Sequence, residues 1–328
     1  MTINPLLERI LRESEGINLL DFLVDKLSPT DLQSLLLEVY HRRATQITPA
    51  TLLANYERNP FVRPSSIDPL VLLEVERLAL SVATPQFEPL ELAPVCPLGT
   101  NSVVASVHQD KTIATIRNTE LVSDSTNVLA LECAVRRRTY LRQPDQRHRR
   151  VRLCASHRLL RPHPISGPVS FAHFRLFGMC TAGRDEGAFQ FELDSLAEQL
   201  ALYLQLFAAL PATGYSIKQV RVGITDLTDG MHEEAVRRDV LAPVAAQFPH
   251  VQLDMDPHRS SARNYYHGLC FAIYATNQEG VEYFLVDGGF TTWTQQLLSN
   301  QKERLLISGI GTERLCAVFR TDKSSTNV

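Results

Sequence analysis

Apolar residues recur at helical spacing through residues 1 to about 64 and then give way to alternation, so the pattern predicts a helical N-terminal module followed by a mixed body. In the module, NPLLERILRES and NLLDFLVDKL both carry helical periodicity. Two helix starts are marked by a hydroxyl followed by proline, Ser28-Pro29 and Thr48-Pro49. The hydroxyl caps free backbone N–H groups and the proline lacks the N–H that would otherwise be orphaned. Leu32, Leu35, Leu36 and Val39 form one stripe of the helix between them. Packing within the module or onto the body is the expected use of that stripe; a docking surface for a partner helix is the alternative. NPFVRPSSIDP, with prolines at 60, 64 and 69, reads as a linker, which sets the boundary between residues 1–64 and 65–328.

The body opens with a helix over Pro69 to Val82. An edge strand is expected in FEPLELAPVCPLG and another in KTIATIRNTELV, leading to a helix in DSTNVLALECAVRRR capped by Asp124 or Ser125. Val151–Leu160 and Phe171–Gly178 alternate as the limbs of a hairpin, with Pro162, Pro164, Gly167 and Pro168 forcing the turn. FQFELDSLAEQLALYLQLFAAL runs into an amphipathic helix whose Leu196, Leu200, Tyr203, Leu204 and Phe207 are core candidates. Further strands follow in SIKQVRVGITD, LCFAIYA, VEYFLVDGG and RLLISGIG, with helices in HEEAVRRDVLAPVAAQF and TTWTQQLLSNQ. Strands from about 87, 111, 151, 171, 217, 269, 281 and 304 onward, interrupted by helices, predict an α+β fold. Its sheet is mixed and mostly antiparallel, flanked by helices.

Composition narrows the class. With 328 residues and 44% hydrophobic content the chain can fill a large core, and a net charge of -3 gives no global attraction to nucleic acid or anionic membrane. The six cysteines are dispersed without a CxxC pair, which points to reduced thiols and no structural metal site. The sequence shows neither a signal-like N-terminus nor a long apolar run. A soluble, cytoplasmic protein is therefore expected, with no membrane partner.

Local charge is less even. Arg158 and Arg161 close the first hairpin limb, where a planar guanidinium can present two donors to a phosphate. Eight arginines fall between 136 and 152, among them Arg136, Arg137, Arg138, Arg149 and Arg150, and only Asp145 opposes them nearby. A polyanion-binding patch is one reading and a solvated loop the other. GIGTERL places Glu313 and Arg314 in the first turn of a helix after a glycine turn, a place where exposed N–H groups and an arginine can hold a phosphate.

Taken together, these segments resemble the catalytic domain of class II aminoacyl-tRNA synthetases, closest to histidyl-tRNA synthetase and its paralogues, over about residues 66 to 320. SARNYYHGLCFAIYA resembles the histidine-recognition segment, with Tyr265 and Tyr266 on its paired tyrosines. VRLCASHRLLRP with FAHFRLFG resembles the second motif, with Arg158 on the ATP α-phosphate and substrate carboxylate. GIGTERL resembles the third, with Arg314 on the terminal phosphates; LLEVERLALSVATPQFEPLELAP resembles the first, a dimer-forming helix and strand. The resemblance implies ATP with Mg2+ as cofactor, an amino acid of histidine-like character as substrate, and a homodimer. It places an acidic residue for the substrate amino group in TIRNTELVSDSTNV, with Glu120 the better match and Asp124 the alternative.

The sequence also departs from that pattern. Leu160 stands where a glutamate is expected, His173 replaces an acidic position, Ser261 takes the place of an arginine with Arg259 and Arg263 nearby, and Phe290 and Thr292 replace a charged pair. Only 14 residues follow Arg314, so an anticodon-binding domain is not expected there. The expected function is therefore an ATP-dependent amino-acid adenylating ligase that is not an ordinary tRNA-charging enzyme, with RNA, a carrier protein or another acceptor at the 136–152 run. The rivals are a non-catalytic, amino-acid-sensing regulatory paralogue and a scaffold protein.

Overall fold

The computed structural model describes residues 5–13, 18–105, 107–162, 169–260 and 265–321. The N-terminal helices are α1 (Pro5–Glu13), α2 (Leu19–Asp21), α3 (Pro29–Ala44) and α4 (Pro49–Arg58). Ser28 and Thr48 cap α3 and α4 by accepting from the N–H groups of Asp31 and Thr51. The expected packing of the α3 stripe is not found. Neither helix has a buried residue, and Leu35 and Val39 stay 41% and 40% exposed.

The body begins with α5 (Pro69–Ala83), then β1 (Glu88–Pro89), β2 (Val95–Pro97), β3 (Thr119–Leu121) and α6 (Ser125–Leu141). After these come β4 (Val151–Leu160), β5 (His173–Arg184), α7 (Gln190–Ala209), β6 (Gln219–Asp226), α8 (Glu233–Val236), α9 (Ala242–Gln247) and β7 (Gln252–Met255). The chain closes with β8 (Leu269–Thr276), β9 (Glu282–Thr291), α10 (Trp293–Leu298), β10 (Glu303–Gly311) and α11 (Thr312–Phe319). Eight strands form one sheet in the order β1-β4-β5-β10-β9-β8-β6-β7, and β2 pairs with β3 apart from it. Only the β1–β4 and β6–β7 pairs are parallel. The fold is thus the mixed, mostly antiparallel α+β class that the alternation implied.

Strand periodicity splits the core between the two faces. On β10, Leu306 and Ile310 join α5, α7 and α11 on one side, while Leu305 and Ile307 pack with α6 and Trp293 on the other. The five apolar α7 positions named above are all buried. β4 and β5 pair from Val151–Ala182 to Leu160–His173, so the first limb is as expected, while the second starts two residues later than expected, at His173, and runs six residues past Gly178 to Arg184; of its turn residues, Pro164, Gly167 and Pro168 lie outside the described residues. Among the described residues no helix is long and apolar enough to cross a membrane.

Candidate functional site

A cavity of about 860 Å³ opens where α6, the β4–β5 hairpin, β9 and the β10–α11 corner converge. Two close approaches create it. A Cβ on Gly178 would meet Ser125 Oγ at 2.7 Å, so only glycine in β5 lets the start of α6 sit against the sheet. A Cβ on Gly289 would meet the Tyr266 ring at 2.6 Å, so the β9 glycine makes room for that ring.

Asp124 lines the cavity at the N-cap of α6. Its Oδ1 accepts from Thr126 N–H at 2.9 Å and Thr126 Oγ1 at 2.7 Å, and its Oδ2 accepts from Arg161 Nη2 at 3.0 Å. Arg161 is held further by Ser123 O at 2.7 Å and lies over the Phe174 ring. Tyr265 and Tyr266 meet edge to face at 5.0 Å, and Tyr265 packs in the same way on Trp293. Burial pushes both phenols up. Asp287 completes this end of the cavity, paired at 2.6 Å with Arg259, whose side chain is almost fully buried. Burial raises the Asp287 carboxyl despite the arginine that opposes the rise. Two carboxylates among aromatic rings favour a cationic or strongly donating group.

The arginines expected to hold phosphate are differently disposed. Arg314 lines the cavity and donates to Phe284 O at 2.8 Å. Arg158 is not in the cavity wall. Its Nη1 contacts Glu313 Oε1 at 3.2 Å and donates to His173 Nδ1 at 2.8 Å. An acceptor at Nδ1 leaves the proton on Nε2, which donates to Arg63 O at 2.6 Å and ties the linker to the hairpin. Glu313 is fully buried and accepts the backbone N–H of Arg175, while Arg175 pairs with buried Glu76 at 3.0 Å. Burial raises the carboxyls of both Glu76 and Glu313, with the neighbouring arginines acting against it. The Glu313 carboxylate thus faces Arg158 on one side and the Arg175 N–H on the other.

The structure changes the picture of Glu120 and of part of the basic run. Glu120 is fully buried away from the cavity, where its carboxylate accepts from the N–H groups of Gly99 and Asn101 and from the side chains of Asn101 and Gln109. It organises the turn after β2, and the alternative, Asp124, is the acid that reaches the cavity. Half of the basic run is neutralised, with Arg138, Arg142, Arg147 and Arg149 left exposed. Arg136 pairs with Glu88 and Glu132, Arg150 with Glu186 and Asp194, and Arg152 with Glu198. Arg137 is wholly buried against Glu303. Arg149 lies over the Tyr140 ring, and Arg138 is exposed. Apart from Glu132, one turn before Arg136 on α6, these acids come from distant segments, which is why the run looked unopposed. Sequence reasoning missed Asp287, although a lone aspartate before Gly-Gly in an apolar strand was a usable signal. Ser261 and Arg263 lie outside the described residues.

No protein-family profile and no curated protein matches the sequence. Solved structures do. Apo histidyl-tRNA synthetase of S. aureus aligns over 77% of this chain and 68% of its own, with TM-score 0.55 and 16% identity. A histidine–tRNA ligase subunit of Alicyclobacillus acidocaldarius aligns over 79% and 96%, again with TM-score 0.55 and 16% identity. An ATP phosphoribosyltransferase regulatory subunit/histidyl-tRNA synthetase of Bacillus halodurans aligns over 81% and 84% at the same TM-score and identity. The similarity at this identity is one of fold.

Proposed function

Starting from a class II synthetase-like fold, we propose that this chain binds a small ligand of the amino-acid class and acts as a ligand-sensing regulatory protein rather than as an adenylating enzyme. The observation that carries this reading is the Arg158–Glu313 contact, which turns the arginine assigned to an α-phosphate toward a buried carboxylate. Asp124, Tyr265, Tyr266 and Asp287 line the cavity, which suits an ammonium group and a polar aromatic side chain such as histidine's. Arg161 and Arg314 supply cations for a carboxylate. A regulatory protein needs a partner, and the exposed apolar positions of α3 and α4 offer it a surface. A homodimer through α5 and β1 belongs to the same reading.

The residues as arranged do not fit a magnesium-bound triphosphate. Arg158 faces Glu313 and lies outside the cavity wall, so the arginines left there, Arg161 and Arg314, meet the charge of a triphosphate beside three lining carboxylates, Asp124, Asp287 and Glu313. Adenylation is the second reading, favoured by Arg314 beside Gly309 and Gly311 in the wall, and it needs Arg158 to part from Glu313. ATP–pyrophosphate exchange with pooled amino acids, beside thermal shift with each, separates the two. The proposal expects no exchange and stabilisation by one amino acid, lost in Asp124→Asn. Exchange that depends on an amino acid and disappears in Arg158→Ala would establish the ligase instead.

A further inference from the structure

A second cavity, of about 340 Å³, lies at the other end of β9 and β10, walled by the start of α7, the loop before α8 and the segments entering β8 and α10. It shares no lining residue with the first. Its volume falls in the range of small-molecule sites, about 300–1,000 Å³. Within its wall, Glu192 is 6% and Thr291 5% exposed, and Glu192 Oε2 and Thr291 Oγ1 lack hydrogen-bond partners. Native structures rarely bury such atoms unsatisfied, so two in one cavity wall call for a donor.

The charge there is unbalanced. Arg304 also lines the cavity, but its Nε donates to Glu192 Oε1 at 2.8 Å, its Nη2 to Asp185 Oδ2 at 3.0 Å, and its Nη1 to the carbonyls of Gln301 and Glu303. One guanidinium shared by two carboxylates leaves a net negative charge, and four of the five N–H donors of Arg304 are already engaged. Burial raises the Glu192 carboxyl, with its own backbone N–H and Arg304 opposing the rise. Phe290 and Phe189 bring apolar surface, and the Phe189 ring stacks on His232 at 3.8 Å and 5°.

The rim is also conformationally unusual. Ala188, Phe189 and Asp229 all have positive φ, at 48°, 64° and 56°. Left-handed non-glycine residues carry strain that persists only when the surroundings enforce it, and such residues gather at ligand sites. Asp226 enforces one side by accepting from the N–H groups of Thr228 and His232.

We propose that this cavity is a second binding site, for a small organic amine whose ammonium meets Glu192 and Thr291 and whose apolar or aromatic body lies against Phe189 and Phe290. Anions are rejected by the local negative charge. The site is independent of the function proposed for the first cavity.

The test is calorimetric titration of the full chain with phenethylamine, histamine and agmatine in turn, for wild type, Asp124→Asn, Glu192→Gln and Thr291→Val, with EDTA present. Glutamine keeps an oxygen for Arg304 but removes the charge, and its affinity should fall about tenfold or more. Thr291→Val, which disturbs no ion pair, should also weaken binding and serves if Glu192→Gln unfolds. Asp124→Asn should keep the binding that Glu192→Gln and Thr291→Val weaken, whatever it loses at the first cavity. Binding that is lost in Asp124→Asn and kept in both other variants would put the amine in the first cavity and overturn the proposal. So would the absence of binding at millimolar amine, or binding of zinc in place of amines when EDTA is omitted.

Discussion

Arg158 and Glu313 approach to 3.2 Å, although they come from the two segments that sequence reading assigned to opposite ends of one triphosphate. The carboxylate is fully buried and the guanidinium 36% exposed, so the arginine faces inward at one end and keeps access to solvent at the other. Replacing Glu313 by glutamine removes the buried charge and leaves an oxygen for the Arg175 N–H. Tripolyphosphate binding should then tighten by roughly fivefold, on the scale of about 1 kcal/mol for one exposed charge-assisted hydrogen bond. Calorimetry checks this. Unchanged affinity would show that the contact does not restrain Arg158.

Asp124 caps α6 and also faces the cavity, so its two roles can be separated. Asparagine is an equally good cap, and Asp124→Asn should leave the melting temperature within a few degrees of wild type. The charge is what the ligand needs. Loss of a hydrogen bond to an ionised partner weakens binding by about 1.5–3 kcal/mol, or roughly ten- to a hundredfold. Titration with the amino acid found by thermal shift measures it, and retained affinity would move the ammonium site elsewhere, with Asp287 the next candidate.

Glu120 supplies a pH test. Burial raises its carboxyl, but the hydrogen bonds from Asn101, Gln109 and Gly99 outweigh burial and hold it below the ordinary 4.5. A depressed carboxyl contributes stability above its unfolded value and loses it as pH falls through the folded one. Wild type should therefore exceed Glu120→Gln in denaturant stability at pH 7, and the gap should begin to close below pH 4.5. Amino-acid affinity should be unaltered. A gap that widens toward acid pH would reverse the assigned sign, and lost affinity would restore Glu120 to the site.

The parts legible in the sequence were those governed by local periodicity. The alternating limbs of β4 and β5, the apolar runs of β8 to β10 and the Ser28 and Thr48 caps are set by residues close in sequence. Short elements carry too few residues to show a period, so β2 and β7, at three and four residues, were not resolved as separate strands. The choice between Glu120 and Asp124 could not be made either. Four residues apart, both stand near the same helix start, and only the β2–β3 pairing turns Glu120 onto the Gly99–Asn101 turn. Long-range charge pairing was the least visible, because nothing near Arg136 or Arg158 in the chain announces Glu88 or Glu313.

Arg137 is the extreme case of that last kind, and it carries the sharpest stability prediction. Its guanidinium is wholly buried, bonded to Glu303 at 2.8 and 3.0 Å across 166 positions of sequence, and it also donates to the carbonyls of Arg147 and Arg149. Removing one member of such a pair leaves the other charge buried alone, which costs about 3–5 kcal/mol. Arg137→Ala should therefore lower denaturant stability by that much, with Glu303 as the stranded charge. Arg137→Met with Glu303→Leu strands no charge and should recover most of the loss, although the two carbonyls still lose their donor. A polyanion-contacting arginine would behave in the opposite way, leaving stability untouched while weakening and flattening the salt dependence of RNA binding. Urea titration of wild type and the two variants beside RNA binding at two salt concentrations decides between a strut that ties the basic run to β10 and a surface contact.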